Sequence, residues 1–534
     1  MNIENIKKQD SKFKKVKDQT ISSLKIELQN NVEKNLFNKL DKENKGFLSF
    51  SNIEEVLSIV GMDLENPIIK KHLHILGINK EQKISFSTFL KFIHRDHYFF
   101  HRALSNNLAI KNFPAFKEQI IKIFKKVEKN KEGNVADYIP QLARVNPDKY
   151  AISICSVDGQ KFSYGDFNDE FCVQSSSKPI SYLMALEEHG LDKVHNHVGR
   201  EPSGRGFNAF VLNYHKLPHN PMINSGAIMT SSLLAPKLNS ADKFDYILNK
   251  WKQLTGGDSI GFSNPTYLSE KDTADRNFAL GHFMNENNAF PKETDLHKIL
   301  DLYFQICSIT TNTRSFSVVA ATLANGGVCP VTGYRIFNPE SIRSCLSLMY
   351  SCGMYDYSGE FAFRFGLPAK SGVSGVLLVV VPNVMGVCIW SPRLDRLGNS
   401  VRGIEFTKEI VEQFNYHIID QLVPGSKITK LQQGRSLSGN DRLNLMDLYY
   451  AATDNDLNYI KLLTAKGVDL SKGDYDGRTA LHLAAAEGNF DIVKYLLDNG
   501  ADLSSIDRWK STPLQEAIRC KHDKIALFLK NFNK

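Results

Sequence analysis

The residues Ser175-Ser176-Ser177-Lys178-Pro179 place a hydroxyl and an amine three positions apart. On a helix, that spacing sets both groups on one face of one turn. Proline is tolerated only near a helix start, so Ser175 is expected at the N-terminal end of the helix that follows. There, free backbone N–H groups and the helix dipole favour developing negative charge. A serine beside an amine base is an arrangement for nucleophilic acyl transfer. The amine acts as a base only if part of it is neutral, which burial or a neighbouring cation such as Lys370 would bring about. Taken alone, the same pattern also describes a surface helix start. Lys370-Ser371-Gly372-Val373 precedes the apolar run from Gly375 to Val381. It reads either as a turn before a strand, or as an edge strand lining the site whose Val373 backbone N–H completes an oxyanion hole.

The elements that must carry these groups are legible around them. Tyr150 to Val157 alternates into Asp158-Gly159 and a return strand, a hairpin pattern. Helical periodicity covers 176–190, 240–256, 295–307, 315–325 and 338–351. A second apolar strand, Val384 to Trp390, follows Pro382-Asn383. Strands at both ends with helices between imply an antiparallel sheet assembled from both ends of the region, an α+β layer.

Composition narrows the function classes. Lys+Arg 66 against Asp+Glu 58 gives a formal +8, and lysines alternate with acids, as on solvated helix faces rather than a nucleic-acid stripe. The eight cysteines form no CxxC pair and lie partly in apolar runs, so reduced buried thiols are expected, not disulfides or zinc. No run reaches the length of a membrane span. The first twenty residues lack the apolar segment of a secretory signal and contain no Arg.

Residues 1–25 read as a disordered lead, and 26–127 as a helical module. Phe47-Leu48-Ser49-Phe50 and Lys83-Ile84-Ser85-Phe86 echo each other 36 residues apart, as in a paired EF-hand. Calcium is not expected: Lys45 replaces a liganding oxygen, and Asn52 sits where a bidentate Glu belongs. The second loop, Gly77 to Gln82, is poorer still. After Pro424-Gly425-Ser426 a 33-residue period begins. Arg478-Thr479-Ala480-Leu481-His482 matches Ser511-Thr512-Pro513-Leu514, and Ala452/Ala485, Gly467/Gly500 and Asp469/Asp502 keep the same spacing. This is the ankyrin period. Two to three repeats are few for independent stability, so docking or self-association is expected.

Several segments in order carry a resemblance. They are Tyr138-Ile139-Pro140-Gln141-Leu142, Val173-Gln174-Ser175, Glu201-Pro202-Ser203-Gly204, His219-Asn220-Pro221-Met222-Ile223-Asn224-Ser225-Gly226-Ala227-Ile228, Asp275-Arg276-Asn277, Ser351-Cys352-Gly353-Met354-Tyr355-Asp356 and Leu367-Pro368-Ala369-Lys370-Ser371-Gly372-Val373. Together they resemble the phosphate-activated (kidney/liver-type) glutaminases, most densely over 120–415. The order of EF-hand-like helices, catalytic domain and ankyrin repeats resembles the long animal enzymes.

The resemblance implies a catalytic domain like serine β-lactamases and penicillin-binding proteins. It implies hydrolysis of L-glutamine to L-glutamate and ammonia without a cofactor. By it, Ser175 is the nucleophile, Lys178 its base, and Tyr355 the relay to departing ammonia. Gln174, Asn224, Glu270, Asn277, Tyr303 and Val373 fall on substrate-contacting positions, and Tyr138 on a lid. Glu270 can pair with the substrate ammonium, while Asn224, Asn277 and Tyr303 can donate to its carboxylate. Ser176 and Ser177 replace a bulkier pair and are expected to point away from the nucleophile. Arg205 to Val211 matches the activation loop, which lies at a subunit interface in the family. Ala209 stands there where animal enzymes carry Lys, so inorganic phosphate is an activator only by analogy. The resemblance also implies dimers pairing into tetramers, and an intracellular setting, the mitochondrion first and the cytoplasm as alternative.

The expected division is therefore 1–25 lead, 26–127 EF-hand-like helical module, 134–420 catalytic domain and 443–534 ankyrin repeats with a possible protein partner. Two other readings compete. A penicillin-interacting acyl enzyme would require export, for which no signal segment is seen. A non-catalytic ankyrin/helical scaffold with an inert β-lactamase-like domain would be favoured by a lost nucleophile, yet Ser175, Lys178, Tyr355 and Lys370 are all present.

Overall fold

A computed structural model of the chain describes residues 43–63, 83–95, 108–258, 260–419, 439–465 and 468–532, with scattered positions between 34 and 103. The expected lead over 1–25, the loop Gly77 to Gln82 and Pro424-Gly425-Ser426 lie outside the described residues. The chain divides into two compact units, one ending at Leu108 and one beginning at Ala109.

In the first unit, β1 (Phe47–Leu48) pairs antiparallel with β2 (Ile84–Ser85), so the two echoing segments meet. Each runs into a helix, Phe50–Ile59 and Phe86–Arg95. Leu48, Ile53, Leu57, Ile84 and Phe89 form a small core, and Phe37 meets Phe86 and Phe89 edge-on at 5.3 Å. The loop acids serve the backbone. Asp41 accepts the N–H groups of Lys45 and Gly46 at 2.9 and 2.7 Å, and Asn52 accepts the Ser49 N–H at 2.8 Å. Asn52 thus works in a capping box at the helix start.

The second unit holds β3 (Ala151–Ser156), β4 (Lys161–Gly165), β5 (Phe171–Cys172), β6 (Gly261–Phe262), β7 (Ile309–Thr311), β8 (Ala369–Gly372), β9 (Val376–Val381) and β10 (Met385–Trp390). Five of them form an antiparallel sheet in the order β4-β3-β10-β9-β8, built from both ends of the region as its strand pattern implied. The β9–β10 turn uses Asn383 at φ 62°, a conformation asparagine tolerates.

The sheet is buried on both faces, which is why β9 reads as an unbroken apolar run. Val376, Leu378 and Val380 face a core containing the helices Lys178–His189, Leu296–Cys307 and Thr313–Ala324. Leu377, Val379 and Val381 face the helices Phe113–Val127 and Val401–Phe414. Periodicity alone groups Phe113–Val127 with the N-terminal helices. The structure instead packs it on this sheet, with Phe124 stacked on Tyr150 at 4.1 Å. Thr313–Ala324 lies so close to β10 that a Cβ on Gly386 would sit 2.1 Å from the Ala321 nitrogen.

Three helix pairs follow. They are Gly439–Thr453 with Leu457–Ala465, Ala480–Glu487 with Phe490–Asp498, and Pro513–Arg519 with Asp523–Asn531. Thr479 and Thr512 cap the second and third pairs through capping boxes, the physical basis of the Thr-x-Leu signature. Leu457–Ala465 packs along Phe113–Val127, and Lys461 reaches Glu118 at 3.2 Å. The repeats dock on the outer helical layer of the five-stranded sheet.

Candidate active site

Ser175 does not begin an α-helix. It lies in a 3₁₀ turn, Gln174–Ser177, and the α-helix starts at Lys178, whose backbone N–H donates to the Ser175 carbonyl. Gln174 enters the turn at φ 49°. For a non-glycine residue this left-handed conformation costs on the order of 1–3 kcal/mol and is held by its surroundings. The hydroxyls of Ser176 and Ser177 donate back to the carbonyls of Val173 and Gln174, so they lock the turn and take no part in the cleft. Gly372 of β8 presses against this turn: a Cβ there would lie 3.0 Å from the Val173 carbonyl oxygen. The Lys-Ser-Gly segment is therefore the sheet's edge strand, and Val373 is the first residue of the turn after it.

Lys178 is 1% exposed. Its Nζ donates to Asn224 Oδ1 at 2.7 Å, and Asn224 Nδ2 donates to Asn277 Oδ1 at 3.2 Å. Burial pushes the Lys178 amine down to about 8, so part of it is neutral near pH 7. Of the two expected causes, burial or a neighbouring cation such as Lys370, burial is the one that acts at Lys178. At Lys370 burial comes first and the Lys178 charge second, together holding that amine well below the usual lysine range.

Tyr355 faces Ser175. Its hydroxyl is buried without a well-formed hydrogen-bond partner, and burial raises it above the ordinary phenol value. Tyr355 also sits at φ 53°, so residues on both sides of the serine carry left-handed backbone. Lys370 Nζ lies 4.7 Å from the Tyr355 ring centroid, and Phe207 packs on the same ring at 4.8 Å.

The far end of the cleft is acidic. Tyr138 Oη donates to Glu270 Oε1 at 2.7 Å, and Gln174 Nε2 donates to the same oxygen at 2.9 Å. Burial raises the Glu270 carboxyl, and these two donors partly oppose it. Tyr138 is 46% exposed with its hydroxyl turned inward. Tyr303, buried on Leu296–Cys307, lies near both Glu270 and Cys307. The Cys307 thiol is pushed up to about 12 by burial and stays neutral.

All ten sequence-derived site residues thus come from the elements around one cleft. Sequence reasoning missed Phe207 and Cys307 as neighbours. Phe207 lies in the Arg205 to Val211 segment already singled out; Cys307 gave no signal beyond its apolar run. A cavity of about 550 Å³ adjoins Tyr355, lined by Ser203, Arg205, Phe207, Ile223 and Asp356 among others, while Ser175, Lys178 and Glu270 do not line it.

A two-sided sheet with Ser-x-x-Lys at the foot of a buried helix, beside an edge strand carrying Lys-Ser-Gly, defines the serine β-lactamase-like class of acyl-transfer enzymes. The family model described as Glutaminase matches residues 133–419, more than half of the chain, and the model described as Ankyrin repeats (3 copies) matches 448–534. The chain is 43% identical to the glutaminase liver isoform, mitochondrial, of Rattus norvegicus over 434 residues, covering 81% of this chain and 72% of the relative. Among solved structures it is similar to the probable glutaminase ybaS (34% identity, TM-score 0.55, 57% of this chain and 98% of that one). It is also similar to a probable glutaminase from Bacillus subtilis complexed with 6-diazo-5-oxo-L-norleucine (29%, TM-score 0.50, 57% and 96%). The chain belongs to the glutaminase family and is a glutamine-hydrolysing enzyme; the inert-scaffold reading has no support.

Proposed function

We propose that hydrolysis runs through a Ser175 acyl-enzyme with Lys178 as base. The carrying observation is the placement of the buried Lys178 amine one turn from a serine whose side chain faces the buried Tyr355 hydroxyl; burial leaves part of that amine neutral. Ser175 Oγ attacks the carboxamide carbon and its proton passes to Lys178 Nζ. The oxyanion takes hydrogen bonds from the backbone N–H groups of Ser175 and Val373. The C–N bond breaks as Tyr355 delivers the proton that lets ammonia leave and is reprotonated from Lys178. Water, deprotonated along the same path, then releases glutamate.

Substrate recognition follows from the charges. Tyr138 and Gln174 both donate to Glu270 Oε1, so Oε2 meets the ammonium of free glutamine. Asn224, Asn277 and Tyr303 donate to its carboxylate. Amides lacking either charge would leave buried groups unpaired. The test is Ser175→Ala: glutamate formation falls to background while the fold is kept, and retained turnover removes the serine mechanism.

The remaining assignments rest on family likeness. We read 134–420, with the helix Phe113–Val127 packed on its sheet, as the catalytic domain and 443–534 as the repeat module; the EF-hand-like module, expected over 26–127, loses that helix and is read as binding no calcium. Exposed Tyr475 and Trp509 on turns of the repeats favour a protein partner. A homo-oligomer, dimer or tetramer, follows the family's habit. A mitochondrial setting follows the name of the rat relative, with cytoplasm the alternative. Inorganic phosphate is the candidate activator. Glutamate formation measured with and without phosphate, beside an Ala209→Lys variant, tests whether that loop position governs the response.

A further inference from the structure

The Tyr355 hydroxyl, buried without a well-formed hydrogen-bond partner, is aimed by its ring and its backbone. Phe207 packs on the ring at 4.8 Å and Lys370 Nζ lies 4.7 Å from its centroid. Gly398 closes on the ring edge, where an added Cβ would sit 3.7 Å from Cε2. The backbone is harder to hold, because Tyr355 lies at φ 53°. A non-glycine residue keeps that conformation only where its surroundings over-determine it. On the N-terminal side the turn is pinned to β8. Ser371 N–H donates to the Gly353 carbonyl at 3.2 Å, and a Cβ on Gly353 would collide with the Ala369 carbonyl oxygen. On the C-terminal side the brace is Ser358, 7% exposed at the start of the helix Ser358–Phe365. Its Oγ accepts the Met354 N–H at 2.9 Å and donates to the Tyr355 carbonyl at 2.7 Å. The left-handed torsion of Tyr355 lies between those two bonds, so one hydroxyl clamps it from both ends. Asn399 Nδ2 adds a longer contact to the Met354 carbonyl at 3.4 Å.

We infer that Ser358 is a positioning residue for the reaction: its hydroxyl holds the left-handed turn that aims Tyr355 at Ser175. This rests on the proposed relay role of Tyr355. Without that hydroxyl the buried Met354 N–H is left unpaired, and Tyr355 is free to relax toward ordinary backbone, which swings its ring away from the serine. Ser358 takes no part in the chemistry itself, so its effect passes through Tyr355. A hydroxyl that only secured the helix start would change stability and leave the chemistry of the folded molecule intact.

A double-mutant cycle in the full chain separates the two roles, with kcat expressed per folded enzyme. Ser358→Ala is expected to lower kcat by about a hundredfold, the loss that about 1 Å of misplacement causes. KM for glutamine should stay nearly unchanged, because Asn224, Glu270 and Asn277 stand on other helices. Ser358→Thr keeps the clamp and should recover most of kcat. In a Tyr355→Phe background there is no hydroxyl left to aim, so Ser358→Ala should cause little further loss. Equal losses in both backgrounds, an unchanged kcat in Ser358→Ala, or a loss confined to KM overturns the inference. If Ser358→Ala does not fold, Ser358→Cys, a longer and weaker donor, replaces it in the cycle with the same reading. If Tyr355→Phe leaves no measurable rate, the order of kcat decides: Thr above Cys above Ala at constant KM supports the clamp, and any other order refutes it. Full turnover in Tyr355→Phe removes the tyrosine relay itself, whereas a disabled Tyr355→Phe beside an unaffected Ser358→Ala removes only the role of Ser358.

Discussion

The Tyr138 hydroxyl donates to Glu270 Oε1 at 2.7 Å across 132 residues of sequence, closing the acidic end of the cleft with a half-exposed ring. In the proposed scheme, the lid residue and the carboxylate that receives the ammonium are thus one hydrogen-bonded unit. Hydrogen bonds to a carboxylate favour its charged form, so losing Tyr138 Oη raises the Glu270 carboxyl further. Tyr138→Phe is expected to raise KM for glutamine about fivefold, corresponding to about 1 kcal/mol for one hydrogen bond. KM should also climb as pH falls, because the carboxylate that holds the ammonium is lost by protonation. That climb should begin at higher pH in the variant than in the parent. A KM–pH curve identical in both proteins would show that Tyr138 does not tune Glu270.

Glu270→Gln keeps the shape and removes the charge. An ammonium left unpaired in a buried site costs on the order of 3–5 kcal/mol, so KM should rise by at least about a hundredfold. The parent enzyme should equally reject glutaramide-like amides that lack the ammonium. Steady-state kinetics on both settle the point, and comparable kcat/KM for glutamine and a glutaramide would refute the recognition scheme.

Fold stability has its own marker at Gly386, where β10 meets the helix Thr313–Ala324 with no room for a Cβ. Gly386→Ala is expected to lower stability by about 1–3 kcal/mol or more, because overpacking must move a helix against a sheet. Denaturant unfolding measures it. A midpoint equal to the parent's would mean that this helix shifts freely.

In the repeats, Thr479 donates to and accepts from His482 at a buried helix start. Thr479→Ala should cost about 1 kcal/mol through loss of the cap, while Thr479→Ser, which keeps the hydroxyl, should cost less. Thermal unfolding of the two variants distinguishes a capping role from methyl packing, which would make them equal.

These expectations show what the chain discloses by itself. The ankyrin helices announce themselves because each Thr cap repeats at a fixed period. The β3–β4 hairpin and the β9 run are legible because side-chain alternation and two-sided burial leave direct traces. Ser175 reads as a helix start, yet it lies in a 3₁₀ turn. Spacing alone does not separate the two, and the left-handed φ of Gln174 and Tyr355 is imposed by tertiary packing. Phe113–Val127 looks like one more N-terminal helix because its apolar stripe does not say which core it meets. The three-stranded sheet β5-β7-β6 has strands of two or three residues, too short for any alternation to register. Lys370 gives no hint of its place over Tyr355, since that contact joins a strand to a distorted turn.

The most direct measurement is peptide mass spectrometry after exposure to 6-diazo-5-oxo-L-norleucine, a diazoketone with the backbone of glutamine. The account predicts one adduct, on Ser175, formed with loss of dinitrogen and in step with loss of glutamate production, and no adduct in Ser175→Ala. An adduct on another residue, or full turnover with Ser175 modified, would contradict it.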